Sequence, residues 1–277
     1  MISPSIESIT AMNSAGSLSN VTLFLFVTGQ FLCGFPLFGQ QELPMKGLCA
    51  HRGAMSTFPE NTLPAFQEAL RLGAEMIEFD VQLSKDGALV IMHDADVSRT
   101  TNGKGKVADL TLDQIRKLDA GSWKGPEFDG LQVPIMEEVL DIMPRDIWLN
   151  IHIKGGEEVG RMVAERIVEL NRTHQSVLAV EAAARKGAKM AYPDVLICNM
   201  ERLSGGWDYV QSTVEMGADF IQLRGEVKPV FADYAAKLKE HGIKINYFGT
   251  DDPDLVRSLW EMGIDFPLVN DISGLKR

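Results

Sequence analysis

Glu78 and Asp80 stand two residues apart in the run Met-Ile-Glu-Phe-Asp-Val-Gln-Leu, whose β-branched and aromatic content predicts a strand. Side chains alternate along a strand, so both carboxylates leave on one face. Two acids sharing a site repel unless a cation or a shared proton relieves them, and hard divalent ions bind such oxygen pairs. Downstream, Asp86-Gly87 predicts a two-residue hairpin loop, flanked by the runs 81–84 and 88–92. That loop sets Asp80 opposite His93, with Cβ atoms about 5 Å apart. His51 closes an earlier predicted strand and is followed by Arg52-Gly53, while His152 and Lys154, again two apart, close a later one. The inventory is His51 and His93 for proton transfer, Glu78, Asp80 and the His152 imidazole for a cation, and Arg52 and Lys154 for phosphate oxygens. Such a set suits phosphoryl chemistry.

The elements that must hold these groups alternate. Strands are expected at 47–51, 76–83, 147–153, 177–180, 195–199, 220–223, 243–248 and 266–269. Helices fit between them at 62–72, behind an Asn61 cap, and at 157–170, 181–190, 209–216, 230–241 and 253–262. Several of these end at a glycine, namely Gly73, Gly217, Gly242 and Gly263, as left-handed C-caps prefer. Eight strands in a βα cadence predict an α/β fold, a (β/α)8 TIM-type barrel, in which catalytic groups gather at the C-terminal ends of the strands. His51 and the paired acids then share one rim. Residues 95–130 break the cadence with glycines, polar residues and a single short helical piece at 112–118. They read as a small inserted segment after the hairpin, lying over the barrel mouth.

The 277 residues carry 45% hydrophobic and 23% charged residues, an ordinary globular balance, and residues 40–277 read as a single domain. A formal net charge of -11 argues against nucleic acid, whose phosphates are gathered by clustered Lys and Arg. No Lys or Arg precedes Lys46, and residues 21–38 are nearly all apolar. Residues 1–39 therefore read as an export leader cleaved after Gly39, with an N-terminal membrane anchor as the alternative. Cys33 would leave with the leader, and Cys49 and Cys198, on predicted strands, read as small buried hydrophobes, with a disulfide between them left open.

At the same residues the chain resembles the glycerophosphodiester phosphodiesterase family. His51-Arg52-Gly53, Pro59-Glu60-Asn61-Thr62, Glu78-Phe79-Asp80-Val81, Asp86-Gly87 and His93-Asp94 are similar to its successive motifs, in order. Arg99-Thr100-Thr101-Asn102-Gly103, Leu118 to Trp123, and Pro134 with Glu137-Glu138 continue the series, so the resemblance is close over 47–154 and looser beyond. It implies a divalent metal, Mg²⁺ or Ca²⁺, and hydrolysis of small-molecule glycerophosphodiesters to glycerol 3-phosphate and an alcohol. Carried over, it makes His51 and His93 the acid and base, Glu78 and Asp80 metal ligands, and Arg52 and Lys154 phosphate contacts. Glu60 becomes a supporting polar residue near the metal or Arg52. Peripheral contact with lipid fits the same expectation, and the sequence specifies no oligomeric state.

Two departures bear on chemistry. Where the family has Glu-x-Lys after the insertion, this chain has His152-Ile153-Lys154. An imidazole in place of a carboxylate removes a negative charge and shifts preference toward Mn²⁺, Co²⁺ or Zn²⁺. Near the end, a Trp-Thr-Val-Asn-like run gives way to Phe248-Gly249-Thr250-Asp251, with Phe248 expected to wall the substrate pocket. Rival readings are a lysophospholipase D-like or cyclising phosphodiesterase and a non-catalytic phosphoester-binding barrel. Gln222, Arg224 and Tyr247, near strand ends, are further candidates for substrate contact.

Overall fold

The structure, a computed structural model, describes residues 42–201 and 206–275. The chain divides into two units, Met1–Gln40 and Gln41–Arg277. The first unit, with the expected leader and Cys33, lies outside the described residues. Among the described residues no helix is long and apolar enough to cross a membrane.

In chain order the second unit runs β1 (Cys49–His51), α1 (Leu63–Arg71), β2 (Met76–Leu83), β3 (Leu89–Ile91), α2 (Leu112–Ile115), α3 (Met136–Ile142), β4 (Trp148–Ile153) and α4 (Glu157–Glu169). It continues with β5 (Ser176–Val180), α5 (Ala182–Ala191), β6 (Leu196–Asn199), α6 (Gly206–Met216), β7 (Phe220–Arg224), α7 (Val230–Glu240), β8 (Lys244–Phe248), α8 (Pro253–Glu261) and β9 (Phe266–Val269). All strands but β3 pair in parallel, and the β1–β2 pairing closes them into an eight-stranded barrel. Strands buried on both faces read as continuous apolar runs, which is why each was visible in the sequence.

The barrel interior is packed at the bottom and polar at the top. Met76, Trp148, Phe220 and Phe266 fill the lower interior, with Trp148 edge-on to Phe220 at a centroid separation of 5.1 Å. These side chains fill that end, whereas the polar groups stand at the C-terminal ends of the strands. Outside, helices bury apolar stripes at helical spacing, such as Val159, Val163 and Ile167 on α4. At Gly160 an added Cβ would lie 2.0 Å from the Ala184 carbonyl oxygen, so only glycine allows α4 and α5 to approach this closely.

Four local expectations are corrected. The hairpin pairs Val81 with Ile91, Gln82 with Val90 and Leu83 with Leu89, which sets Asp80 opposite Met92 and not His93. The loop has three residues: Gly87 N–H donates to the Ser84 carbonyl, Ser84 N–H to the Ala88 carbonyl, and Gly87 takes a left-handed φ of 85°. A type I turn followed by a left-handed glycine is the common three-residue alternative to the two-residue loop. Asn61 does not cap α1; Thr62 holds the N-cap position, and the Asn61 side chain is turned to Asp80. The helix expected at 112–118 spans only Leu112–Ile115, and α3, preceding β4, had no counterpart in the expected elements.

The segment 95–130 builds a small core of its own. Val97, Val107, Ile115 and Ala120 pack with Val90, Met92 and Val133 beside the hairpin. Lys124 Nζ ties it to the loop after β1 by donating to the Met55 carbonyl at 2.8 Å. Cys49 and Cys198 are both buried and form no disulfide, and burial pushes the Cys49 thiol up.

Candidate active site

β1 delivers His51 to the rim directly beside Glu78, its register partner on β2. Immediately afterward the chain turns through left-handed conformations at Arg52 (φ 54°) and Gly53 (φ 80°). A Cβ on Gly53 would meet the Ala65 backbone at 2.6 Å, which accounts for glycine after His51-Arg52. The turn brings Arg52 N–H to Glu78 Oε2 at 3.1 Å and the guanidinium to Glu60 at 2.8 Å and Asp80 at 3.1 Å.

β2 outruns β1: beyond Glu78 its edge is taken by β3, while β4 continues on the other side as far as Val81. Asp80 and His152 are register partners across β2 and β4. The His152 ring nitrogen Nδ1 lies 3.3 Å from Asp80 Oδ1 and 3.6 Å from Glu78 Oε1, and Lys154 Nζ lies 3.3 Å from the same Asp80 oxygen. Glu78, Asp80 and His152 offer ligand atoms all within 4.8 Å of one another. That donor set fits a divalent ion. Asp80 Oδ1 is buried and faces the His152 ring and the Lys154 ammonium, each at 3.3 Å, so positive charge already gathers at this oxygen, where a cation would bind.

The charges are mutually supporting. Burial drives the Asp80 carboxyl upward, but His152, Lys154 and Arg52 together hold it well below the usual carboxylate range. Burial lowers His152 in turn, yet Asp80 and Glu78 more than offset it and leave the imidazole above its ordinary value. Asn61 completes the floor: its Nδ2 donates to Asp80 Oδ2 at 2.9 Å and its Oδ1 accepts the Asp80 N–H at 3.3 Å.

His93 arrives from the other side. β3 ends at Ile91, Met92 turns into the small core beside the hairpin, and release from the ladder lets His93 reach the mouth despite the shifted register. Its Nδ1 is 2.6 Å from Asp94 Oδ1. Arg99 grips Asp94 at 2.5 Å and Glu60 at 2.8 and 2.9 Å, and Glu60 also holds Arg52. Arg99, with His93, draws Asp94 down to about 2 against burial. Burial pushes the Glu60 carboxyl up, but the two arginines hold it below its usual range. Glu60 therefore holds Arg52 from behind the rim and is not among the residues that line the cavity.

These side chains enclose a cavity of about 210 Å³, lined on one side by His51, Arg52, Glu78, His93, His152 and Lys154. Met200, Gln222, Arg224, Phe248 and Leu268 line the other. Phe248 walls it as expected, its ring 4.9 Å from that of His51. Gln222 and Arg224 reach the cavity, whereas Tyr247 turns away and donates to the Gly225 carbonyl at 2.6 Å. Sequence reasoning missed Asn270, whose Oδ1 lies 2.6 Å from His51 Nδ1. The signal was available: Asn270 follows Phe266 and Leu268 at period two, one residue past the end of β9.

Comparison with known proteins agrees with this architecture. The chain belongs to the Glycerophosphoryl diester phosphodiesterase family, whose family model matches residues 51–273. A glycerophosphodiester phosphodiesterase of Caldanaerobacter subterraneus is 47% identical over 121 residues, 43% of this chain and 50% of the relative. One from Bacillus subtilis is 41% identical over 131 residues, 44% of this chain and 45% of the relative. The chain thus spans about half the length of the curated relatives it matches. Among solved structures, the Agrobacterium tumefaciens glycerophosphodiester phosphodiesterase superposes with a TM-score of 0.73 at 25% identity, covering 84% of this chain and 99% of that one. An Oleispira antarctica phosphodiesterase in complex with the product sn-glycerol-3-phosphate gives 0.72 at 26% identity, covering 83% and 95%.

Proposed function

We propose that this chain hydrolyses glycerophosphodiesters to sn-glycerol 3-phosphate and an alcohol, with His51 and His93 moving the protons. The convergence of three imidazoles, the Glu78 carboxylate and the cations Arg52, Lys154 and Arg224 on one small cavity at the barrel's C-terminal rim, with Asp80 beside Glu78 and His152, carries the reading. Family membership and the product complex of the Oleispira relative support it. Glu78, Asp80 and His152 would hold a divalent ion, which when bound supplies Lewis-acid neutralisation of the phosphate charge.

The rest falls to the chain's own groups. Lys154 and Arg52 offer charge-assisted hydrogen bonds to the phosphate oxygens. One histidine takes the proton from the attacking O–H as the new O–P bond forms, either that of water or that of the substrate's neighbouring hydroxyl, whose cyclic phosphate a water then opens. The other protonates the departing alkoxide as the old O–P bond breaks. Phe248 and Leu268 give the ester an apolar wall.

The test is turnover of glycerophosphocholine and bis(p-nitrophenyl) phosphate by the purified chain with Mg²⁺, Ca²⁺, Mn²⁺, Co²⁺ or Zn²⁺, with products resolved by ³¹P NMR. Free glycerol 3-phosphate is expected, and His51→Ala and His93→Ala should each lower kcat by about 10²- to 10⁴-fold. A cyclic phosphate as end product would replace hydrolysis by a cyclising reaction. Binding without turnover under every metal would leave a phosphoester-binding barrel.

A further inference from the structure

An amide side chain can present either an acceptor or two donors, so the 2.6 Å contact between Asn270 and His51 does not by itself choose a histidine tautomer. The choice is made one residue further out. Asp251, in the run where the chain departs from the family pattern, accepts the backbone N–H groups of Asn270 at 2.6 Å and Asp271 at 3.0 Å through Oδ1. Its other oxygen, Oδ2, receives Asn270 Nδ2 at 3.4 Å. A carboxylate has no hydrogen to offer, so the amide nitrogen is drawn to Asp251 and the amide oxygen is left facing His51. Neutral His51 then carries its hydrogen on Nδ1. Its lone pair lies on Nε2, the nitrogen 3.9 Å from Glu78 Oε2 on the cavity side.

We propose that Asp251 is a positioning residue that sets the polarity of the Asn270 amide and, through it, the tautomer of His51. The proposal rests on the reading of His51 as a proton-transfer group. In either direction of transfer the mobile proton resides on Nε2: gained from the attacking O–H, or given to the leaving alkoxide. The Nδ1 hydrogen stays with Asn270 throughout. Asp251 itself does not line the cavity and touches none of the reacting atoms.

Asp251→Asn is the informative variant because its amide oxygen can keep both backbone hydrogen bonds, preserving the loop. Its amide nitrogen now opposes Asn270 Nδ2, donor against donor. Asn270 turns over, presents Nδ2 to His51 and forces the ring hydrogen onto Nε2, where no lone pair remains for the reaction. A fall in kcat of about 10²- to 10³-fold is expected, with KM within about threefold and an unchanged melting temperature. The reciprocal double variant Asp251→Asn with Asn270→Asp restores the hydrogen-bond polarity with donor and acceptor exchanged, and should recover at least about tenfold of the loss.

Wild-type kcat in Asp251→Asn would overturn the proposal. So would a double variant no better than the single one when both melt like the wild type. ¹⁵N NMR of the metal-loaded full chain, with the His51 ring assigned by its disappearance in His51→Gln, reads the tautomer directly. An unprotonated Nε2 in the wild type supports the assignment, and a protonated one overturns it. Should the wild type turn over no glycerophosphodiester, the functional reading fails while the ring nitrogen shifts still decide the tautomer.

Discussion

His51 and His93 face one cavity, and each has its Nδ1 at 2.6 Å from an oxygen, yet the two supports differ in kind. Behind His93 stands a carboxylate that Arg99 keeps ionised down to about pH 2, so it is an acceptor under any condition in which the barrel functions. Behind His51 stands a neutral amide whose polarity depends on a second carboxylate, Asp251. The first arrangement is fixed by charge. The second is fixed by exclusion of the alternative. The difference matches the surroundings: His51 is buried beside Glu78, where a further negative charge would add to the repulsion already present, while His93 is a third exposed. A neutral support orients the buried ring without enlarging the acidic cluster.

The largest effects fall on what both histidines share. Asp80→Asn removes the floor carboxylate that Arg52, Lys154 and His152 surround, taking from Lys154 its carboxylate partner and leaving Arg52 to Glu60 and His152 to Glu78 alone. It should abolish measurable metal binding by calorimetry and cost about 3–5 kcal/mol of stability in urea denaturation, the usual penalty for breaking a buried pair from one side. Near-wild-type Mn²⁺ affinity in this variant would remove Asp80 from the site. Next comes Asp94→Asn, expected to lower kcat by about 10²- to 10³-fold, because Arg99 draws the amide oxygen and turns the amide nitrogen to His93. Arg99 can only donate, so no reciprocal exchange at that position can rescue it. Rescue by an Arg99 substitution would erase the distinction between the two supports. The same variant has a signature in acid. Asp94 titrates in the folded chain at about 2, below the ordinary aspartate value of about 3.9, so its contribution to stability is present above the ordinary range and lost as pH falls toward 2. Asp94→Asn should flatten that part of the denaturation profile.

Legibility in the sequence followed the same divide. Runs buried on both faces announced every barrel strand, and the spacing of Glu78 with Asp80 and of His152 with Lys154 placed the floor correctly. His93 was reached for a wrong local reason: the Asp86-Gly87 signal did not distinguish a two-residue loop from the three-residue loop that Gly87 closes, and the register moved by one. The side chain still arrives because strand β3 ends at Ile91 and the last hairpin bond, from Met92 N–H to the Asp80 carbonyl, comes one residue before His93, with Met92 buried in the small core beside it. Asn61 looked like a helix cap because local capping and a tertiary bond to Asp80 use the same side-chain atoms. Asn270 and Asp251 lie 19 residues apart and acquire meaning only once β8 and β9 adjoin. Polar residues at strand ends in the second half of the barrel carry information that only closure of the ring reveals.

His152 offers a sharper test of how charge is shared at the floor. Without metal its imidazole titrates above the ordinary value, so its protonated form stabilises the fold below about pH 6.5, and that contribution is lost as pH rises through the elevated folded value. A metal needs the neutral ring, so binding releases the proton and strengthens with pH. The melting-temperature gain on adding Mn²⁺ should therefore grow between about pH 6 and 8.5 in the wild type. In His152→Glu, whose carboxylate is already ionised, it should be nearly flat across that range. Equal slopes in the two proteins would mean that His152 is not a ligand.

The smallest expected effect is the one that most directly questions the comparison. Phe248 packs its ring against His51 at 4.9 Å, and among the described residues no ring contact of this kind supports His93. If Asn270 and Asp251 orient His51, Phe248→Ala loses only a wall of the substrate pocket, and KM should rise about three- to tenfold with kcat nearly unchanged. The split between the two constants decides the matter. A fall in kcat comparable to that of Asp251→Asn would mean that packing, and not the amide, holds the ring in place. His51 would then be supported by contact and His93 by charge, and the polarity of Asn270 would follow from the position of the imidazole instead of fixing it.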